Sequence, residues 1–417
     1  MRPGRLRRHR AGFRHCQLFC LGGTLVHAGS RRHHARLIPA VIAAATLMTA
    51  CGGGADASSK SDAAPAKVTV TPAGGSKAVK LGSGITVKAD GGKLTSVEVK
   101  DDDGTKVDGR LSGDGTSWKS DGKVRPKTTY TVRTKAKSTE GRESSATSEF
   151  TTEQADKVNK LTNTPGGGQT VGTGMPVSIL FDNAIDKDRR AEIEKALKVT
   201  TQPHVEGAWG WVKDYSGKDR IDWRPKDYWP SGTRVSVKGA LSGVNSGDGG
   251  WFARDYNFGF RVGADHKAVI DVPSHTLTMY ENGKNVGSVT GSAGSPQDPT
   301  RGGVHTVRSK NAAETMDSAT IGHGDEWMLD SKWVTHLTAS GTFLHSAPWN
   351  KSIGVTNNSH GCFGMTTGDA KRVYDFLTIG STVEVKGTTN QNKTDVGNGL
   401  EVWQESWQQW QQRSALK

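Results

Sequence analysis

The stretch NNSHGCFGM, Asn357 to Met365, sets a cysteine directly after a His-Gly pair. Polar residues and glycines flank Cys362, so no apolar run is there to bury it as an inert thiol. A cysteine nucleophile needs a base, an orienter for that base, and donors for the oxyanion formed on attack. Upstream, GTFLH ends in His345. Strand alternation along TFLHS puts Phe343 and His345 on one face, Thr342 and Leu344 on the other. His345 at a strand end can therefore meet a cysteine on a following loop. His360 is too close along the chain to approach Cys362 freely, and it is expected to shape the loop. Gly361 lets that loop bend tightly and exposes backbone N–H groups toward a substrate.

Outward from this stretch, residues 264–387 read as a mostly β unit with one helix. AVIDVPSHTLTMYENGKNVGSVTGSAG supplies strands around Asn282-Gly283, a strong hairpin signal. TTGDAKRVYDFLTIG has Thr366 or Thr367 as N-cap and Gly380 just past its end, which predicts a helix. Before it, residues 67–153 alternate in short runs such as ITVKAD, SVEVKD and TYTVRTKAK, with Asp-Gly or Gly-Asp pairs between them. That pattern predicts an Ig-like β-sandwich without the Cys…Trp…Cys signature. Residues 154–263 read as a second such domain, with one short helix in DKDRRAEIEKAL. Trp209, Trp211, Trp223, Tyr228 and Trp229 could form a ligand platform, but core and interdomain packing is the expectation. In the tail, residues 388–417, Leu400, Trp403, Trp407 and Trp410 fall on one helical face. Docking of this Trp-rich helical tail back onto the third unit is expected.

The chain has 417 residues and four cysteines, Cys16, Cys20, Cys51 and Cys362. Residues 1–50 carry nine arginines and no acidic residue, then LIPAVIAAATLMTA, then Cys51. A basic segment, a short apolar run and small residues before a cleavage point make an export signal. LMTAC resembles a bacterial lipobox, whose cysteine becomes the lipidated first residue. Residues 51–66, CGGGADASSKSDAAPA, then read as a flexible tether. Removal of the nine arginines takes the formal charge from +13 to about +4. A nucleic-acid partner, which needs a clustered basic face, is therefore excluded. Cys16 and Cys20 leave with the leader and Cys51 is expected to be acylated. Cys362 is left as a lone thiol in an exported, membrane-anchored protein, a hazard there unless it has work to do.

The run HSAPWNKSIGVTNNSHGCFGM resembles the active-site signature of the L,D-transpeptidase catalytic domain (YkuD family), a His, a spacer, then Ser/Thr-His-Gly-Cys. The likeness covers residues 264–387, and VEGAWGW…DWRPKDYWPSGTRVSVKGALSGV is similar to the Ig-like domain that precedes it in actinobacterial members. The resemblance implies an enzyme that cross-links peptidoglycan stem peptides in the 3-3 manner, with no cofactor and no metal. It implies Cys362 as nucleophile, His345 as general base and then acid, and the Ser346 carbonyl as orienter of the imidazole. His360 would support the loop, and the Gly361 and Cys362 N–H groups would form the oxyanion hole. Ser340 and Gly341 fall where the family contacts substrate backbone. Trp327 and Gly364 stand where many members carry Tyr and Asn. Family members are also implied to be acylated by carbapenems more readily than by penicillins.

Three other readings use the same residues. His323, His336, His345, His360 and Cys362 are all potential zinc ligands, but no pair has a tight ligand spacing. A non-catalytic wall-binding lipoprotein would leave Cys362 unreactive. An L,D-carboxypeptidase would share the acyl-enzyme and end the reaction with water.

Overall fold

Alternation builds the first part of the chain. In Thr129–Ser138, Tyr130, Val132, Thr134, Ala136 and Ser138 are buried while Arg133, Lys135 and Lys137 are exposed. This strand lies between Gly92–Asp101 and Glu143–Thr151, facing a second sheet of four strands. Val99, Tyr130, Val132 and Phe150 from one sheet share a core with Val87 and Trp118 from the other, which makes a sandwich. The computed structural model describes residues 64–321, 324, 328–390 and 394–416. The expected leader, Cys51, His323 and Trp327 lie outside the described residues.

Residues 161–262 hold two further four-stranded sheets. Trp209, Trp211, Trp223 and Trp229 sit in their core with Phe181, Phe252 and Phe260. The aromatic cluster is thus interior packing. Tyr228 differs: it is 38% exposed and its ring packs 4.4 Å from that of Trp403 in the tail. The short helix is there as a 3-10 turn, Lys187–Arg189, running into an α-helix at Arg190–Ala196.

The third part carries nine strands among the described residues, here β1 (His266–Asp271), β2 (Thr276–Glu281), β3 (Lys284–Ser292), β4 (Gly303–Thr306), β5 (Ser309–Asp317), β6 (Met328–His336), β7 (Phe343–Ser346), β8 (Phe363–Met365) and β9 (Thr382–Lys386). Their order is β4-β9-β1-β2-β3-β8-β7-β6-β5. Glu281 pairs with Lys284, and Asn282 (φ 49°) and Gly283 (φ 77°) make the tight turn between them, a geometry Asn-Gly tolerates well. β3 pairs with β2 along most of its length, then passes Gly291 and Ser292 to β8. β8 runs parallel to β7, with His345 opposite Gly364. That one register brings the end of GTFLH beside the start of CFGM.

Helix α1 (Thr367–Phe376) follows β8 and buries Ala370 and Val373 against the sheet. Thr366 is its N-cap, the side chain accepting from the Asp369 N–H, which satisfies an otherwise orphaned donor. The helix ends at Phe376, so Gly380 does not cap it. Gly380 (φ 89°) is where the second domain touches the third. A Cβ there would meet Met175 Cβ at 2.7 Å, and Gly174 N–H donates to the Gly380 carbonyl at 2.9 Å.

The tail also departs from expectation. It forms a 3-10 turn, Val402–Gln404, and a short helix, Trp407–Gln411, separated by an extended Glu405. No single helical face carries the four apolar residues. Leu400 joins the core of the second domain. Trp403 donates to the Gly174 carbonyl at 2.7 Å, and Trp410 to that of Ala208 at 3.0 Å. Arg224 lies over Trp403, Trp407 and Trp410. The tryptophans therefore dock on the second domain, because the open edge of Gly207–Lys213 and an unstacked guanidinium wait there. Sheet contacts with the third domain are made by the polar residues around them.

Candidate active site

The parallel register of β7 and β8 sets the site. Cys362 is the residue immediately before β8, and His345 lies in β7 opposite Gly364. Both line a cavity of about 430 Å³, with Trp349, Asn358, His360 and Gly364. Cys362 also lines a second cavity of about 290 Å³, with Ser340, Gly341 and Arg308. Cys362 thus borders both cavities.

His345 is buried, and its Nδ1 donates to the Ser346 carbonyl at 2.8 Å. Because a carbonyl only accepts, the proton of the neutral ring sits on Nδ1 and Nε2 carries the lone pair. Burial lowers the imidazole below its ordinary 6.5, with the Ser346 carbonyl working against that shift. The Cys362 thiol is half-buried and donates to the Gly341 carbonyl at 3.3 Å. Desolvation pushes it up to about 11, while a hydrogen bond from the Phe343 backbone pulls the other way. The resting pair is an uncharged thiol and an uncharged imidazole.

The loop before Cys362 is fixed by its own polar groups. Ser359 Oγ donates to the Cys362 carbonyl at 2.6 Å and accepts from the Gly361 N–H at 3.2 Å. Gly361 has φ 107°, in the region that favours glycine. Asn357 accepts from the Ala293 N–H at 2.9 Å and donates to the Val272 carbonyl at 3.0 Å, pinning the loop to the sheet. His360 is exposed at the rim of the first cavity. A Cβ on Gly364 would meet Ala347 Cβ at 2.9 Å and come within 3.9 Å of His345 Nε2. Glycine there leaves the floor beside the imidazole bare.

Of the zinc reading's described residues, His336, His345, His360 and Cys362, no three bring their ligand atoms together. His336 Nε2 pairs with Glu314 at 2.7 Å, His345 is buried and His360 is exposed. Among the described residues, the only side chains whose ligand atoms cluster closely enough for a metal are Asp101, Asp102 and Asp103, in the first domain.

Two groups were not foreseen. Asn398 of the tail accepts from the Ser340 N–H at 2.8 Å and donates to Ser340 Oγ at 2.9 Å. The Ala339 N–H donates to the Asn398 carbonyl at 3.3 Å. The tail thus holds the Ser340–Gly341 loop, and the Gly341 carbonyl accepts the hydrogen bond of the thiol. Ser331 of β6 is the other, with Oγ at 2.8 Å from the Ser346 carbonyl. Each is a contact between distant segments, invisible to local patterning; only the GNG setting of Asn398 hints at a turn.

Comparison with known proteins adds two family matches. A bacterial Ig domain model matches residues 76–245, and an L,D-transpeptidase catalytic domain model matches residues 265–385. L,D-transpeptidase 2 of Mycobacterium tuberculosis (strain CDC 1551 / Oshkosh) is 34% identical over 84% of this chain and 85% of that protein. L,D-transpeptidase 5 of M. tuberculosis (strain ATCC 25618 / H37Rv) is 30% identical over 90% of this chain and 83% of its own length. A solved structure of the L,D-transpeptidase LdtMt1 with imipenem is 30% identical, covering 54% of this chain and 97% of that one at a TM-score of 0.45.

Proposed function

Since the chain belongs to the L,D-transpeptidase family, we propose that it forms 3-3 peptidoglycan cross-links through an acyl-enzyme on Cys362, with tetrapeptide stems as donors. In this reading Nε2 of His345 takes the thiol proton as sulfur attacks the carbonyl at the L-centre of the third, diamino-acid residue. The carbonyl electron pair moves to oxygen, where the Cys362 N–H stabilises it together with the Gly361 N–H, released from Ser359. Collapse expels the terminal D-alanine, whose amine receives the proton from His345, and a thioester remains. A side-chain amine of a second stem enters, gives its proton to His345, and the thiolate leaves and is reprotonated. Ser340 and Gly341 contact stem backbone from the second cavity, and Gly364 lines the first.

One observation carries the reading: the Nδ1–H to Ser346 hydrogen bond leaves Nε2 as an acceptor in the cavity that Cys362 shares. Incubating residues 64–417 with disaccharide-tetrapeptides and weighing the products tests it. A dimer lacking one D-alanine is expected. A tripeptide monomer alone would instead favour the carboxypeptidase reading, and unchanged substrate the binding reading. By the same proposal the protein is exported, acylated on Cys51 and held at the membrane facing the wall.

A further inference from the structure

Ser331 takes no part in the chemistry set out above, yet it is 2% exposed and touches both the base and the carbonyl that holds it. Its Oγ is 2.8 Å from the Ser346 carbonyl oxygen and 3.3 Å from His345 Nδ1. The carbonyl can only accept, so the Ser331 proton points to Ser346 and its oxygen lone pairs face the Nδ1–H. The backbone is irregular beside this contact. Trp333 in the same strand has φ 55°, unusual for a bulky residue, and next to Ser331 the Lys332 N–H reaches Ser346 Oγ at 3.1 Å. β6 is tied to β7 here by side chains, and the hydroxyl is tucked behind the imidazole.

The base needs such help. No carboxylate of the described residues bonds to His345. Cys362, His360 and Lys351 face it across the cavity, Lys332 is exposed beside Ser331, and Asp330 is engaged by Thr315 Oγ1 at 2.6 Å. Among the described residues, only dipoles are bonded to the ring that becomes positive during attack. We propose that Ser331 is a positioning residue for the base: it holds His345 in the Nδ1–H tautomer, and its oxygen stabilises the imidazolium that forms as the thiol is deprotonated. The S–H bond breaks, an Nε2–H bond forms, and Ser331 itself gains and loses no proton.

This rests on His345 being the base for Cys362, and the test separates the two. The probe is acylation by imipenem, followed by intact mass across the acid limb, on wild type, His345→Ala, Ser331→Ala and Ser331→Thr. Ser331→Ala should slow the plateau roughly tenfold, the scale of one lost hydrogen bond to a charged group, and move the acid limb to lower pH. Ser331→Thr, which keeps the hydroxyl, should restore most of the rate. An unchanged rate and limb in Ser331→Ala, with His345→Ala slow, would overturn the role of Ser331 alone. Equal rates in wild type and His345→Ala would instead remove the base assignment beneath it. The ¹⁵N imidazole resonance lost in His345→Ala gives a readout in the wild type should Ser331→Ala fail to fold. It should report an Nδ1–H tautomer, and an Nε2–H tautomer would overturn the proposal.

Discussion

A thiol held near 11 beside an imidazole held below 6.5 is a pair with no charge at neutral pH. In the proposed mechanism thiolate is then not stored but made at the moment of attack, when the proton would move to Nε2. The pH dependence follows with a definite sign. The base works only when unprotonated, and its lowered pKa keeps it so to below the ordinary histidine value. The midpoint of the acid limb of acylation should thus lie below 6.5. A stopped-flow pH profile checks this, and an acid limb above 6.5 would contradict it. Cys362→Ala and His345→Ala should each abolish cross-linked product while the protein melts as wild type. His360→Ala should lose only part of the rate, since that side chain sits exposed at the cavity rim. Dimer counts by mass, with melting curves alongside, separate the three.

Among the elements, the tail bears most directly on the site. Asn398 holds Ser340 by two hydrogen bonds, and the carbonyl of Gly341, the next residue, accepts the hydrogen bond of the Cys362 thiol. Asn398→Ala should therefore raise KM more than it lowers stability, because it frees the loop proposed to contact substrate without opening a core. Trp410→Ala should do the reverse, costing about 3–5 kcal/mol for a fully buried tryptophan, as denaturant melts would show. How far the sequence reveals these elements depends on range. The Asn-Gly hairpin, the Thr366 cap and the alternation in Thr129–Ser138 are local signals, and each is there in the structure. The spacing in SHGC likewise marks one loop with its histidine and cysteine. Contacts across distance leave no such trace. Nothing local says that β7 and β8 run parallel, that Ser331 meets Ser346, or that Asn398 reaches Ser340 over 58 residues. The tail shows the limit best: helical spacing is present in its tryptophans, but the partners Ala208 and Gly174 on the second domain decide the outcome.

Taken as a whole, the molecule is mostly β, and its last residues tie the second domain to the third. His305 and Glu401, both fully buried, pair at 2.8 Å across that junction, and Gly380 packs directly against Gly172 and Met175. The described residues from 64 onward accordingly belong to one compact unit, in which the second domain packs against the domain that carries the candidate site. Upstream, the expected tether of residues 51–66 is shorter by its last residue, since Ala66 packs in the first domain's core; from the proposed anchor at Cys51 it would span up to roughly 50 Å when extended, a reach suited to the proposed wall substrate. Cys51→Ala should release the protein into the medium with activity intact in vitro; a protein that stays in the membrane fraction would remove the anchor. The central claim, an acyl-enzyme on Cys362 with His345 as its base, is tested most directly by trapping that intermediate. Wild type and His345→Ala are mixed with disaccharide-tetrapeptide, quenched in acid and weighed intact, with the modified peptide mapped. The account predicts one adduct on Cys362 in the wild type, equal to the donor less D-alanine, and none in His345→Ala at the same time point. An adduct on any other residue, or equal labelling of both proteins, would contradict it.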